Sequence, residues 1–342
     1  MSDQTLHGTH DHDADPRNAD ILVYVNGELK RRAEATVSVF DSGFVLGDGV
    51  WEGLRVHRGH PVFLDQHLDR LYEGAKAIAL DIGRSRGELR AALYDTLAAN
   101  GMTDGVHVRL MVTRGVKSTP YQDPRVTVGP ATVVIVAEHK QPRPDVVETG
   151  IRLFTVHVRR PYPDVVDPKL NAHSKLNDIT ACIQAYTAGA DEALMLDPHG
   201  FVATCNSTHF FVVRRGELWT SSGRFCLGGI TRANVLRVAR AAGIPAYEKD
   251  FSLTDVYGAD EAFVTGTFAG LVPVREVDGR TIGDLHGVGG GDSDADRWPM
   301  VTRLRELYRA EVEREVAAAM AAGAPTGAGA ADVAAAPATG ER

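Results

Sequence analysis

Val37-Ser-Val-Phe-Asp-Ser-Gly-Phe-Val-Leu-Gly-Asp-Gly-Val-Trp-Glu-Gly-Leu-Arg55 is the stretch on which the reading of this chain turns. Its second half, from Gly47, combines glycines that let a backbone approach a ligand closely with an arginine suited to paired hydrogen bonds to phosphate. Two later segments carry the same chemistry. Gly228-Gly-Ile-Thr-Arg232 stands where a helix begins, so Thr231 is expected as the N-cap, with free amides and the positive helix end forming an anion site. Thr265-Gly-Thr-Phe268 directly follows an expected strand and offers a hydroxyl and open amides. Each segment alone is a weak signal, because a Gly-rich turn before a helix is more often only a turn and Arg55 more often only a surface charge. The chain has no Walker or dinucleotide fingerprint.

Working outward, the chain has 342 residues, 44% hydrophobic and 24% charged, the proportions of an ordinary globular protein with a length suited to about two domains. Lys+Arg 37 against Asp+Glu 45 gives a net charge of −8, which argues against general nucleic-acid or anionic-membrane binding. Cys182, Cys205 and Cys226 fit no metal, redox or disulfide spacing, so a reducing cytoplasm is expected. The first twenty residues are polar, unlike a secretory signal, and no apolar run approaches the ~18 residues of a membrane span.

Residues 1–19, with His7, His10 and His12, read as a disordered tail more readily than as a metal-binding tract, since nothing apolar is there to order them. Residues 321–342 read as a second, Ala/Gly-rich disordered tail, and Gly287 to Asp296 as a flexible surface loop. Between the tails, strand and helix signals alternate in an α+β pattern. A small N-terminal lobe is expected over 20–142 and a larger C-terminal lobe of mixed sheet and helices over 148–320. Ile21 to Val25 enters a hairpin at Asn26-Gly27, and Thr36 to Phe40 reads as a second short strand. Phe63 to Leu80 is helical by its three- and four-residue apolar steps, Val106 to Thr113 and Ala131 to Ala137 are buried strands, and Leu176 to Thr187 is a helix.

In this order the segments resemble the opening, the phosphate turn and the later loop of the class IV, or fold type IV, pyridoxal-phosphate enzymes, a family of two-lobed α+β proteins. It includes branched-chain and D-amino-acid aminotransferases, (R)-amine transaminases and aminodeoxychorismate lyase. Phe63-Leu-Asp-Gln-His-Leu-Asp-Arg-Leu71, Val108-Arg-Leu-Met-Val-Thr-Arg-Gly115 and Asp191-Glu-Ala-Leu-Met-Leu-Asp197 are similar to further family segments, so the likeness spans about Ile21 to Leu307. It implies a cofactor, pyridoxal 5′-phosphate, at the lobe junction, with its phosphate held by Arg55, Ile230, Thr231, Gly266 and Thr267. It also implies a homodimer or higher homo-oligomer and a small-molecule amino acid and 2-oxo acid as partners, with branched-chain L-amino acids and 2-oxoglutarate favoured over a D-amino acid or (R)-amine, and a lyase on the same scaffold third.

The sequence departs from the family at two positions. Counting without gaps puts Asn171 where the family has its cofactor-linked lysine, with Lys169 two residues before and Lys175 four after. Lys175, one helical turn away on the same face, is favoured as the catalytic lysine, and Lys169 stays open. Thr204 occupies the place of the glutamate that pairs with the pyridine nitrogen, where a neutral hydroxyl would weaken the electron sink. Arg109 is the substrate-carboxylate candidate, weighed evenly against a structural ion pair, and His107 and His173 read as structural. These departures also admit a non-catalytic protein that kept the phosphate cup.

Overall fold

The computed structural model describes residues 8–283 and 297–325. The expected loop at 287–296 and all but the first residues of the C-terminal tail lie outside them.

Two sheets divide the described chain. The first is antiparallel, with strand order β2-β1-β6-β5-β3-β4, built from β1 (Leu22–Val25), β2 (Glu28–Arg31), β3 (Gly49–His57), β4 (His60–Pro61), β5 (Val106–Thr113) and β6 (Thr132–His139). The Asn26-Gly27 turn joins β1 to β2, and both residues take positive φ, which is why that dipeptide stands there. Apolar side chains alternate along β5 and β6 and meet α2 (Leu64–Ala77) and α3 (Arg86–Ala99) in one core that includes Leu68, Leu71, Leu93, Val108, Leu110 and Ile135. Ser85 and Glu88 form a reciprocal capping box that starts α3.

The second sheet runs β12-β11-β10-β13-β14-β7-β8-β9, with β15 (Arg280–Thr281) paired to β14. Its members are β7 (Ile151–Thr155), β8 (Glu192–Leu196), β9 (Val202–Cys205), β10 (His209–Arg214), β11 (Glu217–Thr220), β12 (Ala246–Glu248), β13 (Glu261–Gly266) and β14 (Gly270–Val277). The turn after β9 leads straight into β10, so the far end of the path curls back on its middle. One face packs on α6 (Ile230–Ala241) and α8 (Pro299–Ala321), and α5 (Leu176–Thr187) covers β7 and β8. Val62 and Phe63 of the N-terminal part pack with Ile230 and Val316, stitching the two sheets' layers together.

Several expectations need correction. Thr36 to Phe40 forms no strand; it is an extended lead and turn before the short helix α1 (Ser42–Leu46), which Asp41 caps through the Gly43 amide. Thr231 is not an N-cap: Gly229 holds that place, and Thr231 lies in the first turn of α6. Residues 8–19 are not a loose tail. Thr9 is buried, Pro16–Asp20 forms a turn of 3-10 helix, and Asn18 exchanges hydrogen bonds with the backbone of His139. Polar contacts order this segment, which a search for apolar residues does not detect.

Candidate active site

A cavity of about 440 Å³ opens between the two sheets. At one end the helix α6 begins, and Ile230 and Thr231 line the wall beside Gly229. Thr265, Gly266 and Thr267, at the end of β13, line the same end, and the buried Thr265 hydroxyl has no hydrogen-bond partner. Free helix amides, hydroxyls and an orphaned Oγ1 together form a cradle for an anion. Tyr308 of α8 bonds to Thr231, and burial pushes its phenol up to about 12.

Arg55 is not in this cradle. It shares the cavity face of β3 with Trp51 and Gly53 but lies farther along the strand, where its Nη1 donates to the Lys140 carbonyl at 2.5 Å and its guanidinium stacks 5.4 Å from the Phe268 ring. Burial pushes its pKa down to about 10. The cavity-lining arginine at this end is Arg70, from α2. Its guanidinium makes paired bonds to the buried Glu52 at 2.7 and 2.6 Å, and Nη1 donates to the Gly228 carbonyl at 2.7 Å, the entrance to the phosphate-like turn. His67 Nδ1 also meets Glu52 Oε2, at 2.6 Å. The signal was present in sequence, since His67 sits on the apolar stripe of α2 and Arg70 one turn on.

The opposite end is built on β3 and β5. Gly53 faces Arg109 across the pair, and the Arg109 guanidinium lies 3.9 Å from the Trp51 ring. No hydrogen bond or ion pair ties Arg109 down among the described residues, and burial lowers its pKa. His107 lines the cavity with a buried, unpartnered Nδ1, its pKa held well below the usual value first by burial and then by Arg55. His173 is structural, its Nε2 3.2 Å from the Val50 carbonyl, and Arg114 is bound to Asp48 and the end of α2.

Comparison with known proteins decides the family. The sequence pattern described as Amino-transferase class IV matches residues 49–277. The chain belongs to the class IV aminotransferase family. It is 41% identical over 269 residues to the Branched-chain-amino-acid aminotransferase-like protein 1 of Arabidopsis thaliana, covering 79% of this chain and 48% of that protein. The chain therefore spans about half the length of that relative. A Putative branched-chain-amino-acid aminotransferase of Methanocaldococcus jannaschii is 42% identical, covering 76% of this chain and 89% of its own. Among solved structures, the branched-chain aminotransferase of Thermoproteus uzoniensis with norvaline superposes with TM-score 0.75 at 32% identity, covering 86% of this chain and 96% of that one. The fold is the two-lobed α+β fold type IV.

Within this class IV chain the two lysine candidates separate. Lys169 is exposed and outside the cavity lining. Lys175 lines the cavity, its Nζ 3.2 Å from Asn171 Oδ1 and 5.4 Å from the Trp51 ring centre. Burial lowers its pKa from the ordinary lysine value, with Asp178 opposing and Arg160 reinforcing the shift. Residues 171–175 are not the helical turn expected; they are a loop pinned to β3, and α5 begins only after Lys175. Trp51 N donates to the Asn171 carbonyl, and the Asn171 side chain donates to the Trp51 carbonyl at 2.6 Å.

Thr204 lines the cavity, with its hydroxyl donated to the Thr208 carbonyl at 2.8 Å. The one carboxylate in the cavity lining among the described residues, Asp178, is held by Arg160 at 2.5 Å. Two further histidines enter the cavity: His209, which the sequence analysis does not single out, and His10, which it assigns to a disordered tail. His209 Nε2 lies 2.7 Å from the Leu227 carbonyl, and burial pushes its pKa down to about 3. His10 arrives from the N-terminal segment. Among the described residues no group of His, Cys, Asp and Glu could hold a metal ion.

Proposed function

We propose that this chain is a pyridoxal-phosphate aminotransferase that moves an amino group between an amino acid, branched-chain L-amino acids favoured, and a 2-oxo acid such as 2-oxoglutarate. The observation that carries the reading is a desolvated lysine amine, Lys175, inside the same cavity as the anion cradle. The cradle fits a phosphate: Ile230, Thr231, Gly266 and Thr267 supply amides and hydroxyls, and Arg70, rather than Arg55, the cation. The cofactor supplies, when bound, a carbonyl carbon that accepts the amino group and a ring that withdraws electrons. A lysine with a lowered pKa is neutral at a lower pH than usual, so Lys175 can take a proton from substrate Cα and return it. Arg109, with no protein anion bound to it, is the group to hold a substrate carboxylate. Thr204 offers no negative charge to a ring nitrogen, so the electron sink is weaker than a carboxylate would make it.

The apolar outer face of α5, with Ile183 57% and Tyr186 50% exposed, and the exposed Phe40 and Phe44 support assembly as a homodimer or higher homo-oligomer. Three free cysteines support residence in the cytoplasm. Among the described residues no helix is long and apolar enough to cross a membrane.

Borohydride reduction of the protein with pyridoxal phosphate, followed by peptide mapping, tests the site. Label on Lys175 is the expected result, absent in Lys175→Gln. Label on Lys169 would move the catalytic role there. Bound cofactor without lysine label, and no turnover of any amino donor, would make the chain a cofactor-binding protein without transaminase chemistry.

A further inference from the structure

Residues 8–12 cross the cavity wall and are fastened at each side. The buried Thr9 donates its hydroxyl to Glu192 Oε1, while Thr208 donates to Oε2 of the same carboxylate at 2.7 Å. On the other side the Arg143 amide donates to the Asp11 carbonyl, and the Arg143 side chain faces Asp11 and Asp13. Each oxygen of a carboxylate buried at 3% exposure thus accepts from a threonine, with Ser207 a further donor, and one of the threonines is brought by this strap.

The strap sets His10 in the cavity, open to its solvent, with its ring stacked on Phe268 at 5.7 Å and 19°. Its Nδ1 lies 3.2 Å from Thr9 Oγ1. Thr9 has spent its only proton on Glu192, so between Nδ1 and Oγ1 the donor is the imidazole N–H. Nδ1 then carries the proton, and Nε2, which has no partner among the described residues, is a bare acceptor. The Lys140 amine, 5.0 Å from the Phe268 ring, and Arg109 crowd the same corner with His12. Partial desolvation against the cavity wall, and then these cations, lower the His10 pKa below the ordinary histidine value and keep the Nε2 lone pair available.

We propose that His10 is a specificity-determining residue whose Nε2 accepts a hydrogen bond from a hydroxyl or amide N–H on the substrate side chain, its tautomer fixed through Thr9 by Glu192. The class of ligand it selects is a carboxylate whose side chain carries a hydrogen-bond donor, over the purely aliphatic isostere, which moves the substrate reading above from the aliphatic branched-chain amino acids to branched amino acids that carry a hydroxyl or amide. The aminotransferase reading enters only in taking the natural ligand to be an amino acid; the acceptor itself rests on the strap.

The test uses two acids without an amino group, so no turnover is involved: 3-hydroxybutyrate and 3-methylbutyrate, equal in shape with a hydroxyl in place of a methyl. Calorimetric titration into the full chain loaded with pyridoxal phosphate should show the hydroxy acid binding about five- to tenfold tighter, the size of one neutral hydrogen bond. His10→Ala should bring the ratio to about one, and His10→Asn, which keeps an acceptor, should restore part of it. Equal binding of the two acids by the unaltered protein, failure of both to bind, or an unchanged ratio in His10→Ala, would overturn the proposal. Bound cofactor with no lysine labelled and no turnover would overturn the aminotransferase reading and leave this ratio standing.

Discussion

Gly229 precedes α6 with ordinary backbone angles, φ −69° and ψ 126°, so its identity owes nothing to a left-handed conformation. A Cβ there would stand 2.3 Å from His209 Cε1 and 2.6 Å from Nδ1. The His209 ring is in turn tied to the Leu227 carbonyl, so it has no room to yield. Gly229→Ala should cost about 1–3 kcal/mol of stability through overpacking and open the turn that frames the anion cradle. Thermal melts and a phosphate titration would show it; unchanged melting and affinity would mean that the ring moves freely. Gly49 obeys the same logic, since its Cβ would meet the Val112 carbonyl at 2.5 Å and the His173 ring at 2.8 Å. Such glycines are visible in sequence, but the neighbours that require them are not.

At the scale of elements, the strap and α5 each carry a consequence. Thr9→Val keeps the shape of the side chain and removes one of the hydroxyls that bond to the buried Glu192. Burial already raises the Glu192 pKa against the bonds from Thr9, Thr208 and Ser207. The substitution should therefore cost about 1–3 kcal/mol and raise that pKa further, seen as a lower urea midpoint and faster amide exchange over residues 8–12. A midpoint equal to that of the unaltered chain would show the strap to be unanchored. The α5 helix has a buried side, Ala181 and Ala185, against β7 and β8, and an outer side with Ile183 and Tyr186. On the proposed homo-oligomer, Ile183→Asp should leave the fold intact and yield monomers in sedimentation experiments; a single monomeric species in the unaltered protein would remove the need for an apolar partner there.

For the molecule as a whole, His209 inside the cavity makes stability depend on acid pH. Burial pushes it down to about 3, from 6.5 in an unfolded chain. Its folded value is depressed, so its contribution is fully present above pH 6.5 and is lost as pH falls toward 3. The neutral ring adds a slope of about 1.4 kcal/mol per pH unit within that window, because the unfolded state takes up the proton first. Urea denaturation between pH 7 and pH 4 should show this loss, and His209→Asn should flatten it. An acid limb of the same steepness in that variant would place the titration elsewhere.

The sequence by itself determined the alternation of strands and helices, the family, and most of the walls of the cavity. Those features are local: turn dipeptides such as Asn26-Gly27, apolar periods of two and 3.6, and glycine-rich segments before helices each carry their geometry in adjacent residues. Ile230, Thr231, Gly266, Thr267, Thr204, Arg109 and Lys175 all line one cavity, as the separated segments suggested. The tertiary structure alone decided which arginine faces the anion cradle. Arg55 and Arg70 are alike in sequence, but one runs past the cavity under Phe268 and the other is aimed by Glu52 across to Gly228. It also decided that Lys175 reaches Asn171 through a loop bound to β3, and that a polar N-terminal segment is ordered. That ordering comes from hydrogen bonds to distant residues, Thr9 to Glu192 and Asn18 to His139 among them, and no pattern within the segment encodes partners so far along the chain.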